Sequence, residues 1–552
     1  MTLGSPRLRL LVVFALLAVI HTWPLAAHPG YWSRLDSADA SLNTWAIAWV
    51  AHTLPFHPTH LFDANIFHPA TLTFAYSEPV IVQGLLALPV LALGGSPVLA
   101  YNLVALVGFT LTAWATALLI LRATGDPWAA LIAGSLAAFN AHTLTRLPHL
   151  QALHLEFLPL AVVALDRLAL SARVGDAVLL AVAVALQAVT SIYALVFTAW
   201  TLAWAAVARG WTAGTPRWRT LCLLALAVVL AAGLLAPLLY PYYLLSHETG
   251  LVRSASESRL FSSTWTDYLY TGARLHFALW SQRFGSSADA NFPGVTATLL
   301  ALIALAGLRR DRLVRMAAAM LASAVVLSVA PRLPGFDWAH DHLPIVSAIR
   351  GYSRAGQFAL VAMAILAGLG VARLHAAWGT RRGWTLAAAA LAVLVNVEAL
   401  RAPLLYVPFR GVPAIYDSLA EAPAGAVLEL PIYGPGAEFM NAPYLVNATR
   451  HWRPIVNGYS GFMPPGYMDI YRGLRRFPDA WSIGWLRANG VNRVVVHLTA
   501  FEQLKGRLQL EKIEASLDVA LVASDSDTRI YSVRPRSADS AEAATEARRT
   551  QR

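Results

Sequence analysis

Three things that soluble proteins use freely are scarce in this chain. The only cysteine is Cys222, inside an apolar run, which excludes a disulfide-stapled secreted scaffold. Lysine occurs only as Lys505 and Lys512, so the basic side chains are almost all arginine. Charged residues make up 13% of the 552 residues, against roughly 25% in soluble domains, whereas 57% are hydrophobic. These numbers exclude a disordered chain, collagen and a coiled coil, and they predict a membrane protein that crosses the bilayer many times.

The net charge of +11 does not indicate nucleic-acid binding. A nucleic-acid interface is expected to combine clustered basic residues with exposed aromatic residues outside apolar flanks. Here the arginines lie mostly between hydrophobic runs, where they set the orientation of a membrane protein. We therefore expect a lipid bilayer, and no nucleic acid, as a partner.

Apolar stretches of bilayer length predict a mainly α-helical bundle with about eleven spans. They cover residues 10–28, 97–121, 127–141, 156–171, 176–190, 191–208, 219–243, 293–308, 313–331, 356–373 and 384–402. The segment 78–95 is also apolar, but it contains Glu78, Pro79, Gln83 and Pro89. We interpret it as a surface-lying or re-entrant helix.

Arginine determines the predicted sidedness. If 78–95 does not cross, the short arginine-rich loops between spans lie on the side of the N-terminus, including the cluster at 309–315. Such loops are typical of the cytoplasm. We expect a bacterial cytoplasmic membrane protein with its N-terminus inside and with 30–96, 244–292, 332–355 and the C-terminal region outside. Residues 1–28 have features of a signal peptide, but the apolar part is long for one, and an uncleaved first span is favoured.

Two domains and a tail are predicted. Residues 1–403 form the membrane domain, whose first outer loop is 30–96. Residues 404–535 form a small α/β extracytoplasmic domain with strands at 426–430 and 493–497 and a hairpin over 519–533, and with helical patterns near 411–421, 466–476 and 500–516. Residues 536–552 lack apolar periodicity and predict a disordered tail.

Carboxylates in the first outer loop are the candidate catalytic groups. Asp36 and Asp39 stand just outside the first span, Asn43 follows them, and Glu78 comes before the surface helix. A carboxylate beside an interfacial helix is partly desolvated, which suits acid–base chemistry or the binding of a divalent ion. We also expect Asp36 or Asp39 to cap the helix that begins near residue 39.

Candidate substrate-binding residues, most of them cationic, occur in two other outer segments. Arg146, His149 and Gln151 lie between the third and fourth spans, and Arg350 and Arg354 stand just before the tenth. Arginine is a planar fork of donors that suits a phosphate, and residues four apart share a face if the stretch is helical. The alternative is snorkelling to lipid headgroups, and His149 with Gln151 and His154 is also suited to lining an acceptor site.

No metal site is evident in the sequence. The histidines at 52, 57, 60 and 68 match no closed zinc pattern and have no cysteine partner. A Mg²⁺ or Mn²⁺ ion held loosely by Asp36 or Asp39 with a substrate phosphate stays open. The glycine-rich loops 433–436 and 457–462 are interpreted as turns.

The order of these features resembles the GT-C superfamily of integral membrane glycosyltransferases, which use lipid-linked sugar donors. A first span leads to a long outer loop with an acidic residue near its start, and a second acidic motif precedes an apolar surface helix. Aminoarabinose transferases and protein O-mannosyltransferases share this plan. The resemblance implies that Asp36 or Asp39 acts as, or beside, the catalytic base. It also matches Glu78 to the glutamate of the Glu-Lys-Pro motif of aminoarabinose transferases, although Pro79 replaces the lysine.

The resulting functional expectation is a membrane glycosyltransferase. It would transfer a sugar from a polyprenyl-phosphate donor to a glycan, lipid or protein acceptor at the outer face. The alternatives are a lipid-linked-sugar transporter or flippase and a non-catalytic protein of envelope assembly. Transporters place ionisable residues at mid-membrane, whereas the spans here are nearly free of charge, with Glu398 the main exception. This distribution favours the transferase.

Overall fold

The computed structural model describes residues 5–210, 216–250, 252–285, 289–504 and 506–535. The predicted tail 536–552 lies outside the described residues. The chain forms two compact units, one made of residues 1–34 and 78–409 and the other of residues 35–77 and 410 onward. Most of the first outer loop thus groups with the C-terminal region, whereas the sequence places it in the membrane domain.

Helices dominate the first unit. In chain order as far as residue 399 the α-helices are α1 (Pro6–His21), α2 (Ala38–Thr53), α3 (Ile81–Ala92), α4 (Pro97–Thr124), α5 (Pro127–Ala138), α6 (Ala141–Thr145), α7 (Phe157–Ser171), α8 (Val174–Thr190), α9 (Ile192–Arg209), α10 (Arg217–Thr249), α11 (Ala255–Leu260), α12 (Arg274–Leu279), α13 (Val295–Gly307), α14 (Arg312–Val329), α15 (Phe336–His342), α16 (Pro344–Ser347), α17 (Ala355–Trp378) and α18 (Trp384–Ala399). All but α2 belong to the first unit.

A helix lies at each of the eleven predicted spans. Five helical segments in the described residues are long and apolar enough to cross a membrane, namely Pro97–Thr124, Ile192–Arg209, Arg217–Thr249, Arg312–Arg332 and Tyr352–Trp378. Helix α3 has 12 residues, a length of about 18 Å, which is short of a hydrocarbon core of about 30 Å. Helix α5, which lies at one of the eleven predicted spans, also has only 12 residues. The number of helices that cross the membrane therefore stays a prediction.

Local sequence signals set several helix boundaries. Ser96 accepts a hydrogen bond from the backbone N–H of Leu99 at 3.1 Å and caps α4, whose first residue is a proline. Asp126 caps α5 in the same way, accepting from the backbone N–H of Trp128 at 2.8 Å. Gly125 ends α4 with a φ of 69°, a conformation that glycine adopts without steric cost. Serine or aspartate before proline therefore starts these helices as the general rules predict.

The candidate span that contains α17, Tyr352–Trp378, is the most buried of the five. Within its apolar 18-residue stretch, 89% of the residues are buried inside the protein. Small residues permit this packing. A Cβ on Gly370 would collide with the backbone carbonyl of Leu300 on α13, and one on Gly368 would lie 2.7 Å from the Cβ of Ala133 on α5. Inside a membrane, the hydrophobic effect does not drive helices together, so they associate through close van der Waals packing. Glycine and alanine permit that close approach.

The second unit contains a four-stranded sheet and short helices. Strand β1 (Trp32–Ser33) pairs with β2 (Val407–Pro408) in the first unit, and the second unit holds β3 (Ala426–Leu430), β4 (Val491–His497), β5 (Val519–Ser524) and β6 (Thr528–Val533). Its helices after α2 are α19 (Asp417–Ala420), α20 (Ala442–Ala448), α21 (Tyr467–Leu474), α22 (Ala480–Ala488), α23 (Leu498–Gln503) and α24 (Arg507–Ala515).

The sheet order is β3-β4-β6-β5, with β3 and β4 parallel and the other pairs antiparallel. The strands occupy the segments that the sequence predicts. Helices α20 and α22 were not predicted, because each is too short for its apolar period to stand out. Residues 35–77 join this unit through α2, which packs on α20.

Candidate active site

Glu78 and Arg354 form an ion pair at the start of helix α9. The Arg354 guanidinium donates to Glu78 Oε1 at 3.3 Å, and the backbone N–H of Ile192, the first residue of α9, donates to Glu78 Oε2 at 2.7 Å. The Glu78 side chain is 11% exposed and that of Arg354 is 25% exposed. Both carboxylate oxygens therefore have cationic or helix N-terminal partners, an arrangement that stabilises an anion.

Burial has the largest effect on the pKa of the Glu78 carboxylate. Loss of water raises the pKa of Glu78 above its usual value, and the nearby Arg354 and the N–H of Ile192 oppose the rise. Desolvation is the larger effect, so the folded protein holds the Glu78 proton more tightly than the unfolded chain does. A carboxylate of this kind takes up a proton at a higher pH than an exposed one does.

Tyr193 connects the two predicted arginines. The Arg354 guanidinium lies over the Tyr193 ring, 4.6 Å from its centre, and the backbone nitrogen of Arg350 is 3.5 Å from the Tyr193 hydroxyl. Arg350 itself pairs with Glu257 at 3.0 Å, and Arg253 pairs with the same Glu257 oxygen at 3.1 Å.

The two arginines do not share a helix face. Arg350 lies after α16 and outside any helix, and Arg354 ends a 3₁₀ turn that begins at Tyr352. Their side chains pair with different carboxylates, Glu257 and Glu78. The sequence predicted a shared face only for a helical stretch, and this condition is not met because no α-helix runs from Arg350 to Arg354.

Five of the predicted side chains are in or beside one small cavity. Its lining includes Arg146, His149, Gln151, Ser191, Tyr193, Arg354 and Gln357. The cavity holds about 20 Å³, enough for one water molecule. The Gln151 amide is buried, and its oxygen has no hydrogen-bond partner among the described residues. With Glu78 bound to Arg354 at its edge, the cavity combines two cations, a histidine and an open amide acceptor.

Arg146 has its own carboxylate partner in the first unit. Its guanidinium pairs with Asp289, and the two side chains are 12% and 16% exposed. One turn earlier, His142 is fully buried with Nδ1 3.0 Å from the Asn291 side-chain oxygen. Burial, and then the positive charge of Arg146, holds the pKa of His142 well below its usual value, so His142 is neutral.

The first-loop aspartates belong to the second unit. Asp36 is exposed, in a turn before α2, and Asp39 is in the first turn of α2. The Tyr459 hydroxyl donates to Asp39 Oδ1 at 3.0 Å, and the side-chain amide of buried Asn43 donates to the Asp39 backbone carbonyl at 2.7 Å. Asp39 is thus oriented by a tyrosine, and its charge lies at the favourable end of a helix.

Neither aspartate is the N-cap of α2, which is a correction to the prediction. The cap is Ser37, whose backbone is extended at φ −112° and ψ 131°. Asp36 precedes the cap and Asp39 is the second helical residue, so neither has the backbone conformation that a cap requires. Asp39 still favours the helix through its position in the first turn.

Several residues of the site were not predicted. Tyr193, Glu257 and Asp289 provide the ring and two of the carboxylates that hold the arginines. A serine before an apolar run is a helix-start signal, so Ser191 was recognisable as the cap of α9. The partners of Arg146 and Arg354 are 143 and 276 residues distant in sequence, and no local pattern indicates them.

No group of three or more histidine, cysteine, aspartate or glutamate side chains that could hold a metal ion occurs in the described ranges. His68 Nε2 instead donates a hydrogen bond to the backbone carbonyl oxygen of Asn489, at 2.8 Å. His52 stacks on Trp452, with ring centres 4.2 Å apart. These two histidines of the first loop therefore pack within the second unit.

Two solved structures of glycosyltransferases have a fold similar to that of this chain. The mycobacterial arabinofuranosyltransferase AftD aligns with 96% of this chain at 16% identity and a TM-score of 0.58, and ArnT from Cupriavidus metallidurans, bound to undecaprenyl phosphate, aligns with 97% at 14% identity and a TM-score of 0.50. The fold is GT-C-like. This chain spans 41% of the length of AftD and all of ArnT.

The GT-C-like fold and the apolar helices make this a membrane protein. No family model matches the sequence, and no curated protein does. At this low sequence identity the structural similarity establishes the fold alone. The chemistry must be argued from the residues of the candidate site.

Proposed function

We propose that this protein is a membrane glycosyltransferase that takes a sugar from a polyprenyl-phosphate donor and transfers it to an acceptor hydroxyl at the outer face of a bacterial cytoplasmic membrane. The observation that carries the proposal is the convergence of Arg146, His149, Gln151 and Arg354 on one cavity beside Glu78. The GT-C-like fold supports it, and so does the undecaprenyl phosphate bound to the ArnT relative.

The arginines supply the phosphate contacts of the proposed reaction. Arg354 and Arg146 are each paired with a carboxylate, Glu78 and Asp289. A donor phosphate carries the same charge as a carboxylate and offers more acceptor oxygens, so it competes for the same guanidinium groups. Glu78 then acts as a positioning residue that holds Arg354 until the donor binds, rather than as the base.

The first-loop aspartates are the candidate bases. The acceptor hydroxyl oxygen attacks the anomeric carbon, its proton passes to the carboxylate of Asp39 or Asp36, and the bond from the anomeric carbon to the phosphate oxygen breaks. Polyprenyl phosphate leaves with the bonding electrons, so atoms and charge balance. Tyr459 orients the Asp39 carboxylate by donating a hydrogen bond to it at 3.0 Å.

The first experiment measures sugar transfer by the purified full-length protein with polyprenyl-phosphate sugars as donors. Asp39→Asn and Asp36→Asn separate the two candidate bases, since each removes one proton acceptor without a change of shape. We expect one of them to lower kcat by at least about 100-fold, the usual scale for a general base, with little change in KM for the donor. Tyr459→Phe is the matched control, because it keeps Asp39 and removes only the group that orients it.

The same assay tests the phosphate contacts. Arg354→Gln is expected to raise KM for the donor more than it lowers kcat, because the ground-state phosphate is already bound there. Addition of EDTA tests for a divalent ion that enters with the donor. Turnover at the wild-type rate in Asp36→Asn, Asp39→Asn and Arg354→Gln would overturn the proposal. Translocation of lipid-linked sugar in proteoliposomes without transfer would assign the protein to the flippases.

A further inference from the structure

A second and larger cavity lies in the first unit, near the other end of helix α17. It encloses about 570 Å³ between helices α4, α13, α14 and α17. Arg373 lines it and stands 19 positions after Arg354 in the chain, which along a helix is about 28 Å, close to the thickness of a bilayer core. The candidate active site and this cavity are therefore near opposite ends of one bilayer-length helix.

The lining of this cavity is mainly aliphatic, and its charged residues are Asp311, Arg312 and Arg373. Ile303, Leu308, Leu313 and Leu369 provide aliphatic surface, and Arg373 provides a cation. A volume of this size, with apolar walls and few polar groups, is typical of a site for a small amphiphilic molecule.

Positive charge is in excess around the cavity. Asp166 accepts from Arg312 Nε at 2.9 Å and from Arg209 Nε at 3.3 Å, both at the same oxygen, so one carboxylate serves two arginines. Asp311 caps α14 and accepts from the backbone N–H of Leu313 at 2.8 Å. The lining itself contains two guanidinium groups, those of Arg312 and Arg373, and one carboxylate, that of Asp311.

Arg373 is the cation that carries the inference. Its side chain is exposed, and no acidic partner for it occurs in the described part of the chain. It lies against Gly307, where any side chain would collide with the guanidinium group. Gly307 is the last residue of α13, so the absence of a side chain there leaves room for the Arg373 guanidinium group beside the helix end. An exposed arginine with no carboxylate partner in the described residues, on the wall of a largely aliphatic cavity, can bind an external anion.

We propose that this cavity binds one anionic phospholipid, with its phosphate on Arg373 and Arg312 and its glycerol and first acyl carbons against the leucine and isoleucine side chains. A free phosphate ion would make no favourable contact with the apolar walls. A phospholipid without net charge would leave the excess positive charge of the arginines uncompensated. Basic sites between membrane helices on the arginine-rich side of a protein recognise anionic headgroups in this way. The proposal is independent of the glycosyltransferase reaction.

Native mass spectrometry of the delipidated full-length protein tests this site. Phosphatidylglycerol and phosphatidylcholine with identical acyl chains, and undecaprenyl phosphate, are added separately and in competition. We expect wild-type protein to retain phosphatidylglycerol in preference to phosphatidylcholine. Arg373→Gln should weaken retention of phosphatidylglycerol about tenfold, the scale of one charge-assisted contact. Arg373→Lys, which keeps the charge but not the planar fork, should lose less.

Arg381→Gln is the matched control, because Arg381 is an exposed arginine near the end of the same helix that does not line the cavity. It should leave retention of phosphatidylglycerol unchanged, and all variants should keep the wild-type unfolding temperature. Equal loss in Arg373→Gln and Arg381→Gln would overturn the proposal, since it indicates a diffuse surface effect. Equal retention of phosphatidylcholine, or displacement of phosphatidylglycerol by equimolar undecaprenyl phosphate, would also overturn it.

Discussion

The ion pair between Glu78 and Arg354 gives an asymmetric prediction for stability. Arg354→Gln leaves a carboxylate that is only 11% exposed without its cation, whereas Glu78→Gln leaves an arginine that is 25% exposed and still lies on the Tyr193 ring. Breaking a fully buried pair costs about 3–5 kcal/mol and an exposed pair contributes at most about 1 kcal/mol. We therefore expect Arg354→Gln to lower the free energy of unfolding by about 2 kcal/mol at pH 7 and Glu78→Gln by about 1 kcal/mol.

The pH dependence of these variants has a definite sign. The folded-state pKa of Glu78 is raised above its ordinary value of 4.5. The folded state then binds more protons than the unfolded state, so the free energy of unfolding falls as the pH rises from about 4.5 through the folded pKa. Glu78→Gln should remove this part of the fall. Arg354→Gln should extend it to higher pH, because loss of the cation raises the pKa further.

Denaturant unfolding in mixed micelles at several pH values measures these free energies. The double variant should cost no more than Arg354→Gln alone, which corresponds to a coupling of about 1 kcal/mol. Glu511→Gln is the control, because its pair with Arg507 is an exposed i,i+4 contact, with side chains 55% and 89% exposed, and should change stability by less than about 0.5 kcal/mol. Additive effects of the two substitutions, or a larger cost for Glu78→Gln, would refute the conclusion that burial of the carboxylate makes the loss of its cation the costlier change.

Three other expected outcomes concern protonation and orientation. Burial lowers the pKa of His451 to about 4, so the free energy of unfolding should fall by about 3 kcal/mol as the pH drops from 6.5 to 4, and His451→Gln should abolish this fall in a pH titration of unfolding. In a binding assay, undecaprenyl phosphate should bind more tightly as the pH falls, and Glu78→Gln should remove part of this dependence, because Glu78 no longer needs to be protonated on leaving Arg354. Cysteine labelling of intact cells, with the native cysteine removed, should modify His60→Cys and Ser460→Cys but not Arg310→Cys; labelling of the last would reverse the predicted orientation.

The positions of the long helices could be predicted from the sequence because each needs only a local run of apolar residues. Their caps follow from Ser96 and Asp126 for the same reason. The membership of residues 35–77 in the second unit could not be predicted, since it depends on how they pack against segments more than 380 positions later, as with the side chain of Asn65 and the backbone of Arg453.

The site was predictable as a set of residue types and not as a set of pairs. Arginine and acid in outer segments identified Arg146, Arg354 and Glu78 as candidates. Which carboxylate each arginine contacts depends on helix packing, and sequence spacing gave no signal for Asp289. The spacing of Arg350 and Arg354 suggested a shared face only for a helix, and the turn between them removed it.

The carboxylate partners of the site explain how it remains stable without a ligand. An arginine in a partly buried cavity is costly unless an anion is near, and Glu78 and Asp289 supply that anion within the protein. A phosphate that binds to Arg354 must therefore displace Glu78, and the displaced carboxylate is one whose pKa burial has already raised. Taking up a proton removes its charge and lets it stay buried without a cation. In the proposed reaction, donor binding and proton uptake at Glu78 are thereby linked.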